Sequence, residues 1–488
     1  MLLLLYVVYG IYMKLNNVDV KKTIDQANKL LDQEQSLSPA FKVVFKLILT
    51  LMQLMLDRLS LNSKNSSKPP STDQNKKKNS NEDNAANRKP GGQQGRIGTQ
   101  LQPVANPDEI KTIVLDTKTL PKGDYTDSGF EARQVIDFEI SVNVVEYRAQ
   151  VLVDERGRRY VAPFPAGVTR PIQYGSNTKV TSVYMSQHQL IPYKRTANYF
   201  AEQVGFNISV GTLFNFNKEA YQLLETFEQI SKNKLISSPM INADETGINV
   251  NGKGHWLHTA CNEEWTHFYP HSKRGTEAMD EIGILPNFKG VLCHDGWKSY
   301  YKYGCEHALC NAHHLRELEW CATEGEQQWA QKIKIFLLEL NKTVDAANGQ
   351  LNEEQSKQYF TQYQTLLNEA EIECPSAKPA EGLRKRGKVK QSKARNLLQR
   401  LIDYHTDVLR FMSDVDVPFT NNQGERDLRM TKVQQKISGC FKSVEGAKIF
   451  CRIRGYLSTC SKHGVDATQA LKILFSGKLP DFVYEVDG

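Results

Sequence analysis

At 488 residues, 40% of them hydrophobic and 24% charged, the chain is too long for one hydrophobic core and divides into three or more units. Its net charge of +7, pI near 8.7 and mean hydropathy of −0.50 describe a mildly basic, soluble protein. All nine cysteines lie at or after Cys261 without regular spacing, which excludes a secreted disulfide framework and points to reduced thiols in the cytoplasm.

The first unit is residues 1–61. Its apolar start, Met1 to Met13, lacks a basic leader region and is shorter than the ~20 residues of a membrane span, so it reads as a misplaced start codon. Over 20–61, Phe41, Phe45, Ile48, Met52, Met55 and Leu59 recur at alternating spacings of four and three. That is the seam of a coiled coil and implies a homo-oligomer. Val43, Val44, Leu47, Leu49 and Leu51 widen the apolar face, so packing in a small helical bundle competes, while Lys42, Lys46, Asp57 and Arg58 argue against a membrane.

Residues 62–110 are rich in Ser, Asn, Lys, Pro and Gly and read as a basic disordered linker. Lys64 to Arg96 holds eight Lys or Arg against three acids, which suits a phosphate backbone, with Lys64 and Lys68 as candidate DNA contacts. In 111–170, alternating runs at Ile136–Ile140, Val144–Val151 and Arg159–Val161, divided by Gly and Pro, predict a small β module. Over 171–235 the pattern is helical. One helix ends near Gly205 and a second starts with Ser209 as its cap, the arrangement of a helix-turn-helix whose second helix can enter a major groove. Ser209 and Thr212 in its first turn are candidate DNA contacts; an ordinary helical hairpin is the competing reading.

From Pro239 strands take over, at Met240–Ala243, Gly254–Ala260, Thr266–Tyr269, Gly290–His294 and Ala308–Cys310, with helices at Thr276–Ile282, His313–Cys321 and Gln327–Ala346. This predicts an α/β multidomain protein: a core in two parts, 236–322 and 405–488, interrupted by a charged helical insertion at 323–404. Arg384 to Arg400 carries eight Lys or Arg and no acid, making Arg384, Lys385 and Arg386 further candidate DNA contacts.

Three carboxylates stand in dense local motifs: Asp244 in Ala243-Asp244-Glu245-Thr246-Gly247, Asp295 in His294-Asp295-Gly296-Trp297, and Glu425 in Asn421-Asn422-Gln423-Gly424-Glu425-Arg426. The first two follow short apolar runs, as acids at the ends of buried strands do, and the third opens a helix. Such acids can hold two Mg²⁺ ions, with Mn²⁺ able to substitute, and a two-metal clamp cuts and rejoins phosphodiesters. Each has a plainer reading. Asp244 could cap a turn at Thr246-Gly247, Asp295 could cap a helix, and Glu425 could complete a capping box with Asn422 or pair with Arg429. Cys310-x-x-His313 is half of a tetrahedral zinc site, which Cys305 and His307 could complete; packing at a strand-to-helix junction is the commoner role, and no zinc is predicted.

Leu61-Asn62-Ser63-Lys64 through Pro69-Pro70-Ser71, Lys89-Pro90-Gly91-Gly92-Gln93, the Asp244 and Asp295 motifs, Cys310-Asn311-Ala312-His313 with Arg316-Glu317-Leu318, and Asn421-Asn422 with Glu425-Arg426-Asp427-Leu428-Arg429 resemble successive signatures of the insertion sequence 66 transposase family. The resemblance covers about residues 40 to 475. It implies a DDE transposase with a ribonuclease H-like catalytic core, in which Asp244, Asp295 and Glu425 are the acidic triad and the metal ligands. It also implies His313 and Arg316 near the scissile phosphate, and Arg426 and Arg429 facing DNA. The partners would be double-stranded DNA, as terminal inverted repeats and target, and small accessory proteins; the setting would be the bacterial cytoplasm, at the nucleoid. Family members carry two Cys-x-x-Cys pairs before the core, yet 111–170 holds no cysteine, so a module folding without metal is expected there. The competing functions are an inactive DNA-binding remnant and a metal-dependent nuclease that does not join ends.

Overall fold

The computed structural model describes residues 14–15, 18–34, 36–59, 101–377 and 389–484. The Met1–Met13 start, Lys64 and Lys68 in the linker, and Arg384, Lys385 and Arg386 lie outside them.

Two helices, α1 (Val20–Gln33) and α2 (Pro39–Leu59), stand where one seam was expected. Pro39 takes the first turn of α2, where its missing N–H leaves no bond unmade. Lys46 Nζ reaches Asp32 Oδ1 at 2.6 Å, tying the two helices. The seam positions are open to solvent, Phe41 by 61% and Met55 by 67%.

Between 101 and 170 the small β module is corrected to one hairpin. β1 (Val151–Val153) pairs antiparallel with β2 (Arg159–Val161). Asp154 Oδ1 closes it by accepting the Arg156 and Arg158 amides at 2.9 and 2.8 Å. The runs at 136–140 and 144–150 form no strand, and Ile136, Phe138, Val144 and Val145 are exposed. Alternation makes a strand only when its apolar side has a surface to cover, and among the described residues none lies beside it.

The next helices are α3 (Ser176–Val183), α4 (Tyr193–Tyr199), α5 (Val210–Leu223) and α6 (Glu225–Ser237). A π-helical turn extends α4 to Gly205, whose φ of +93° ends the helix as a side chain could not without strain. Ser209 Oγ caps α5 by accepting the Thr212 amide at 3.0 Å. Val183, Phe200, Leu213, Phe216 and Phe227 share one core with Ile241, Ala243 and Leu292, so these helices pack onto the sheet that follows.

That sheet has five strands: β3 (Met240–Val250), β4 (Lys253–Cys261), β5 (Thr266–His271), β6 (Val291–His294) and β7 (Glu306–Leu309), with α7 (Thr276–Ile282) between β5 and β6. Their spatial order is β5-β4-β3-β6-β7. The first three form an antiparallel meander, and β6 and β7 continue it in parallel with β3. Asn251 and Gly252, at φ +49° and +79°, make the two-residue turn from β3 to β4 that a twisted hairpin prefers. Where the sequence suggested that β3 stops at Ala243 and turns at Thr246-Gly247, the strand runs on to Val250, because β4 pairs with it along its length.

Helices cover both faces. α8 (Asn311–Thr323) leads into the insertion, built of α9 (Gln328–Ala346), α10 (Glu353–Glu373) and α11 (Lys393–Asp403) and followed by α12 (His405–Leu409). Trp329, Ile333, Leu337, Tyr363, Leu397 and Leu401 form a core continuous with Val291, Cys293 and Leu309 of the sheet. The chain then returns in α13 (Asn422–Ser438), α14 (Val444–Lys462) and α15 (Ala467–Phe475). α14 lies so close to β5 that a Cβ at Gly455 would stand 3.0 Å from the Thr266 carbonyl oxygen. Beside it a buried ion pair, Lys462 Nζ to Asp427 Oδ2 at 2.9 Å, ties α14 to α13.

Buried histidines make the sheet acid-sensitive, His258 and His267 on its antiparallel side among them and His294 on β6 alongside. Burial pushes His258 down to about 4 and His267 down to about 3, below the ~6.5 of an unfolded chain. Between those values the unfolded chain binds more protons, so their contribution is complete above pH ~6.5 and is lost as pH falls through the folded values. We expect a loss on the order of 3 kcal/mol for each histidine over that window. Denaturant melts at pH 7 and pH 4 should show it, and His267→Gln should flatten the pH dependence; an unchanged slope would refute the assignment.

Candidate active site

The parallel pairing of β3 and β6 sets two acids side by side. Ile241 pairs with Leu292 and Asn242 with Cys293, so two residues further along, Asp244 stands level with Asp295. Neighbouring strands are ~4.8 Å apart. β7 is in step as well: Leu309 pairs with His294, and Cys310 begins the turn into α8. Asp244, Asp295 and the start of α8 therefore gather where the parallel pairing of β3, β6 and β7 ends, although β3 itself continues to Val250.

Backbone amides steer both acids. Asp244 Oδ1 accepts the Glu245 amide at 2.8 Å, and Asp295 Oδ1 accepts the Trp297 amide at 2.9 Å. The Asp295 turn needs Gly296, which sits at φ +85° with His294 Nδ1 accepting its amide at 3.0 Å. Glu245 projects to the opposite side of β3 from Asp244. Its side chain, 1% exposed, accepts Arg274 Nε at 2.7 Å and the Tyr300 hydroxyl at 2.5 Å. The Arg274 guanidinium lies over Trp297 at 4.2 Å and Trp256 at 4.8 Å. This buried cluster straps the segment after Asp295 to β3.

Glu425 arrives from far along the chain, and Asn421 determines where. Fully buried, Asn421 donates through Nδ2 to the Ala243 carbonyl at 2.9 Å and accepts Asn242 Nδ2 at 2.8 Å. Its own amide points at Cys310 Sγ, 3.1 Å away. The start of α13 is thereby fastened to the residues just before Asp244 and to the turn after β7. The capping box suggested by the sequence does not form. Asn421, not Asn422, is the N-cap residue, without a side-chain cap bond, and Glu425 faces Arg316 Nη2 at 3.7 Å rather than Arg429.

Asp244 feels the charge of the other acids. Burial is the largest cause lifting the Asp244 carboxyl to about 7, followed by the charge of Glu245; Asp295 and Glu425 add to it and the Glu245 amide opposes it. Yet among the described residues the trio of candidate ligand atoms lying within 4.8 Å of one another is Cys310, His313 and Glu425. The acids surround a space rather than a point. Burial and Arg316 hold the His313 imidazole below its ordinary value, while Glu425 and Asp295 pull the other way, which places His313 between those acids.

Arg426 and Arg429 are exposed on α13, and Ser209 and Thr212 hydrogen-bond each other (2.9 Å) at the start of α5. His307 does not join Cys310: it bonds His294 Nε2 through Nδ1 at 3.1 Å. Sequence reasoning missed Asn242, Asn421 and Lys432. Lys432 Nζ donates to the Gly247 carbonyl at 3.1 Å, and burial lowers its affinity for a proton, with Asp244 opposing the fall. Its signal was available: Lys432 follows Glu425 by two helical turns and shares its face.

A mixed α/β sheet covered by helices, with acids gathered where its parallel pairing ends, defines the class of this protein. The chain belongs to the transposase IS66 family, whose model matches residues 172–449, and is thus a DNA-cleaving and DNA-transferring enzyme of an insertion sequence. Residues 26–102 match a second family, of unknown function (DUF6444). No curated protein matches the chain.

Replacing Asn421 by Ala would strand Asn242 and the Ala243 carbonyl in the interior, at a cost of about 2–3 kcal/mol. Gly424→Ala tests the same bridge more gently, since its Cβ would stand 3.0 Å from Asn421 Oδ1. Both should lower DNA cleavage by more than they lower melting temperature; parallel losses would show the bridge to be structural only.

Proposed function

We propose that this transposase binds the terminal inverted repeats of its own element, cleaves a strand at each end and joins the freed 3′-hydroxyls to target DNA. The observation that carries the reading is the register that sets Asp244 level with Asp295, with Asn421 bringing Glu425's helix to the same edge. The meander continued by two parallel strands is compatible with a ribonuclease H-like core.

The donor set suits Mg²⁺, a hard cation that takes carboxylate oxygens and retains water. Asp244, Asp295 and Glu425 are hard ligands, and the crowding of negative charge that lifts Asp244 is what a cation relieves. When bound, a metal pair would activate water or a 3′-hydroxyl and stabilise the leaving oxygen. The chain's own groups do the remaining work. Glu245, Arg274 and Tyr300 hold the two strand acids in place. Arg316 and His313 lie beside Glu425, where a scissile phosphate would enter. Arg426 and Arg429 face outward to the backbone of bound DNA, and α5 reads the repeat from its first turn at Ser209 and Thr212. Lys64, Lys68, Arg384, Lys385 and Arg386 add phosphate contacts from segments outside the described residues.

Asp244→Asn, Asp295→Asn and Glu425→Gln should each abolish Mg²⁺-dependent cleavage and joining while leaving repeat binding within about twofold. Asp244→Asn should also raise the melting temperature of the metal-free protein, by ~1–2 kcal/mol of stability, because it removes a buried charge crowded by like charges. Cleavage that survives Asp244→Asn would dismiss the acid assignment. Cut ends without joined product would favour a nuclease, and repeat binding without cleavage by the wild type would favour a remnant.

The N-terminal helices bring two copies together in this reading. By length and composition the Pro39–Leu56 stretch could also cross a membrane, but Lys42 and Lys46 interrupt it and both reach acceptors around α1. Placing charge on the seam, as in Phe45→Glu with Met52→Glu, should convert an oligomer to monomer by sedimentation and depress joining more than cleavage. An unchanged mass would remove these helices from the interface.

A further inference from the structure

The space beside the acids holds donors of a different kind. Cys310 Sγ, a His313 ring nitrogen and a Glu425 oxygen lie within 4.8 Å of one another. Cys310 is buried at the mouth of α8, His313 stands in that helix's first turn, and Glu425 comes across from α13. His313 Nδ1 is buried without a hydrogen-bond partner, a cost that buried nitrogens rarely carry unless something fills the place. Burial pushes the Cys310 thiol up, and the Asn421 amide directed at its Sγ opposes that rise, as do the His313 and Ala312 amides of the helix start.

Thiolate, imidazole and carboxylate on one point are poor ligands for Mg²⁺ and good ones for a borderline-soft ion. We propose that Cys310, His313 and Glu425 form a site for a single thiophilic divalent ion of the Zn²⁺ class, three protein ligands leaving the fourth tetrahedral position open. Binding releases the Cys310 thiol proton to solvent and displaces Arg316 from Glu425. The consequence rests on the reading of Glu425 as the third acid: Glu425 cannot serve both sites, so Zn²⁺ occupancy withdraws it from the Asp244–Asp295 edge and turns cleavage down.

Full-length protein stripped of metal is titrated with Co²⁺, whose thiolate charge-transfer band reports cysteine ligation, and with Zn²⁺ for stoichiometry. One equivalent of each should bind. Cys310→Ser should remove the band, and His313→Ala should weaken Zn²⁺ binding by more than the ~10–100-fold that loss of an outer-shell partner costs. Glu425→Gln, at a partly exposed position, should keep the band and lower affinity, which protects the test should Cys310→Ser fold poorly. Cys440→Ser, at the cysteine that is not fully buried, should change neither. No band in the wild type, a band surviving Cys310→Ser, or a band lost in Cys440→Ser overturns the site. These readouts stand whether or not the protein cuts DNA. Where it does, Zn²⁺ should inhibit Mg²⁺-supported cleavage, with an inhibition constant raised at least tenfold in Cys310→Ser relative to that variant's own zinc-free rate. Equal inhibition of both would leave the ion bound but uncoupled from Glu425.

Discussion

One buried side chain amide connects the parts of this molecule. Asn421 bonds the Ala243 carbonyl and the Asn242 amide on one side and directs its own amide to Cys310 on the other. A buried amide of this kind must satisfy every donor and acceptor or cost a substantial fraction of the fold's stability, so its geometry admits little slack. The two core parts are separated in sequence by the whole helical insertion, and they are joined by this contact and by Thr266, whose hydroxyl donates to Asp427 Oδ2 and accepts Lys462 Nζ. The insertion can therefore be long without loosening the acids, because the chain entering and leaving it is fastened at both ends.

The same fastening explains why the plain readings of Glu425 fail. A capping box with Asn422 and a pair with Arg429 are both local, and locally the spacing permits them. Tertiary bonds take precedence: Asn421 is committed to β3, the helix begins one residue earlier than a box from Asn422 requires, and Glu425 turns toward Arg316. Glu425 thus lacks the intrahelical partners that would hide it. An acid left with one long contact at 3.7 Å is poised to accept a stronger one.

What was legible in the sequence follows the same division between local and distant forces. The five strands were visible because the central ones are apolar runs bounded by turn residues, and the Ser209 cap and the Gly205 stop were visible because helix ends have local chemistry. The parallel register of β3 with β6 was not legible, since nothing in either run names its neighbour, and the levelling of Asp244 with Asp295 comes from that register. The β module was over-read for the converse reason. Its alternation is real, but alternating residues become a strand only against a surface, and Phe138 and Val144 have none among the described residues. Lys432 was missed although its two-turn spacing from Glu425 was on view, because an isolated lysine on a polar helix reads as solvated until the strand beneath it is known.

The electrostatics of the acid edge carry the argument one step further. Asp244 is buried beside Glu245, with Asp295 and Glu425 near, and it pays for that place in an affinity for protons far above that of an ordinary carboxyl. Burial raises Glu245 as well, but the Tyr300 hydroxyl and Arg274 donate to it and oppose the rise, as nothing but a backbone amide does for Asp244. Among the described residues no cation is bonded to Asp244: Lys432 donates to the Gly247 carbonyl, and Arg316 is turned to Glu425. In the proposed reading a divalent cation drawn from solution would relieve that crowding of charge, and the fold's stability and its chemistry would then depend on the same ion.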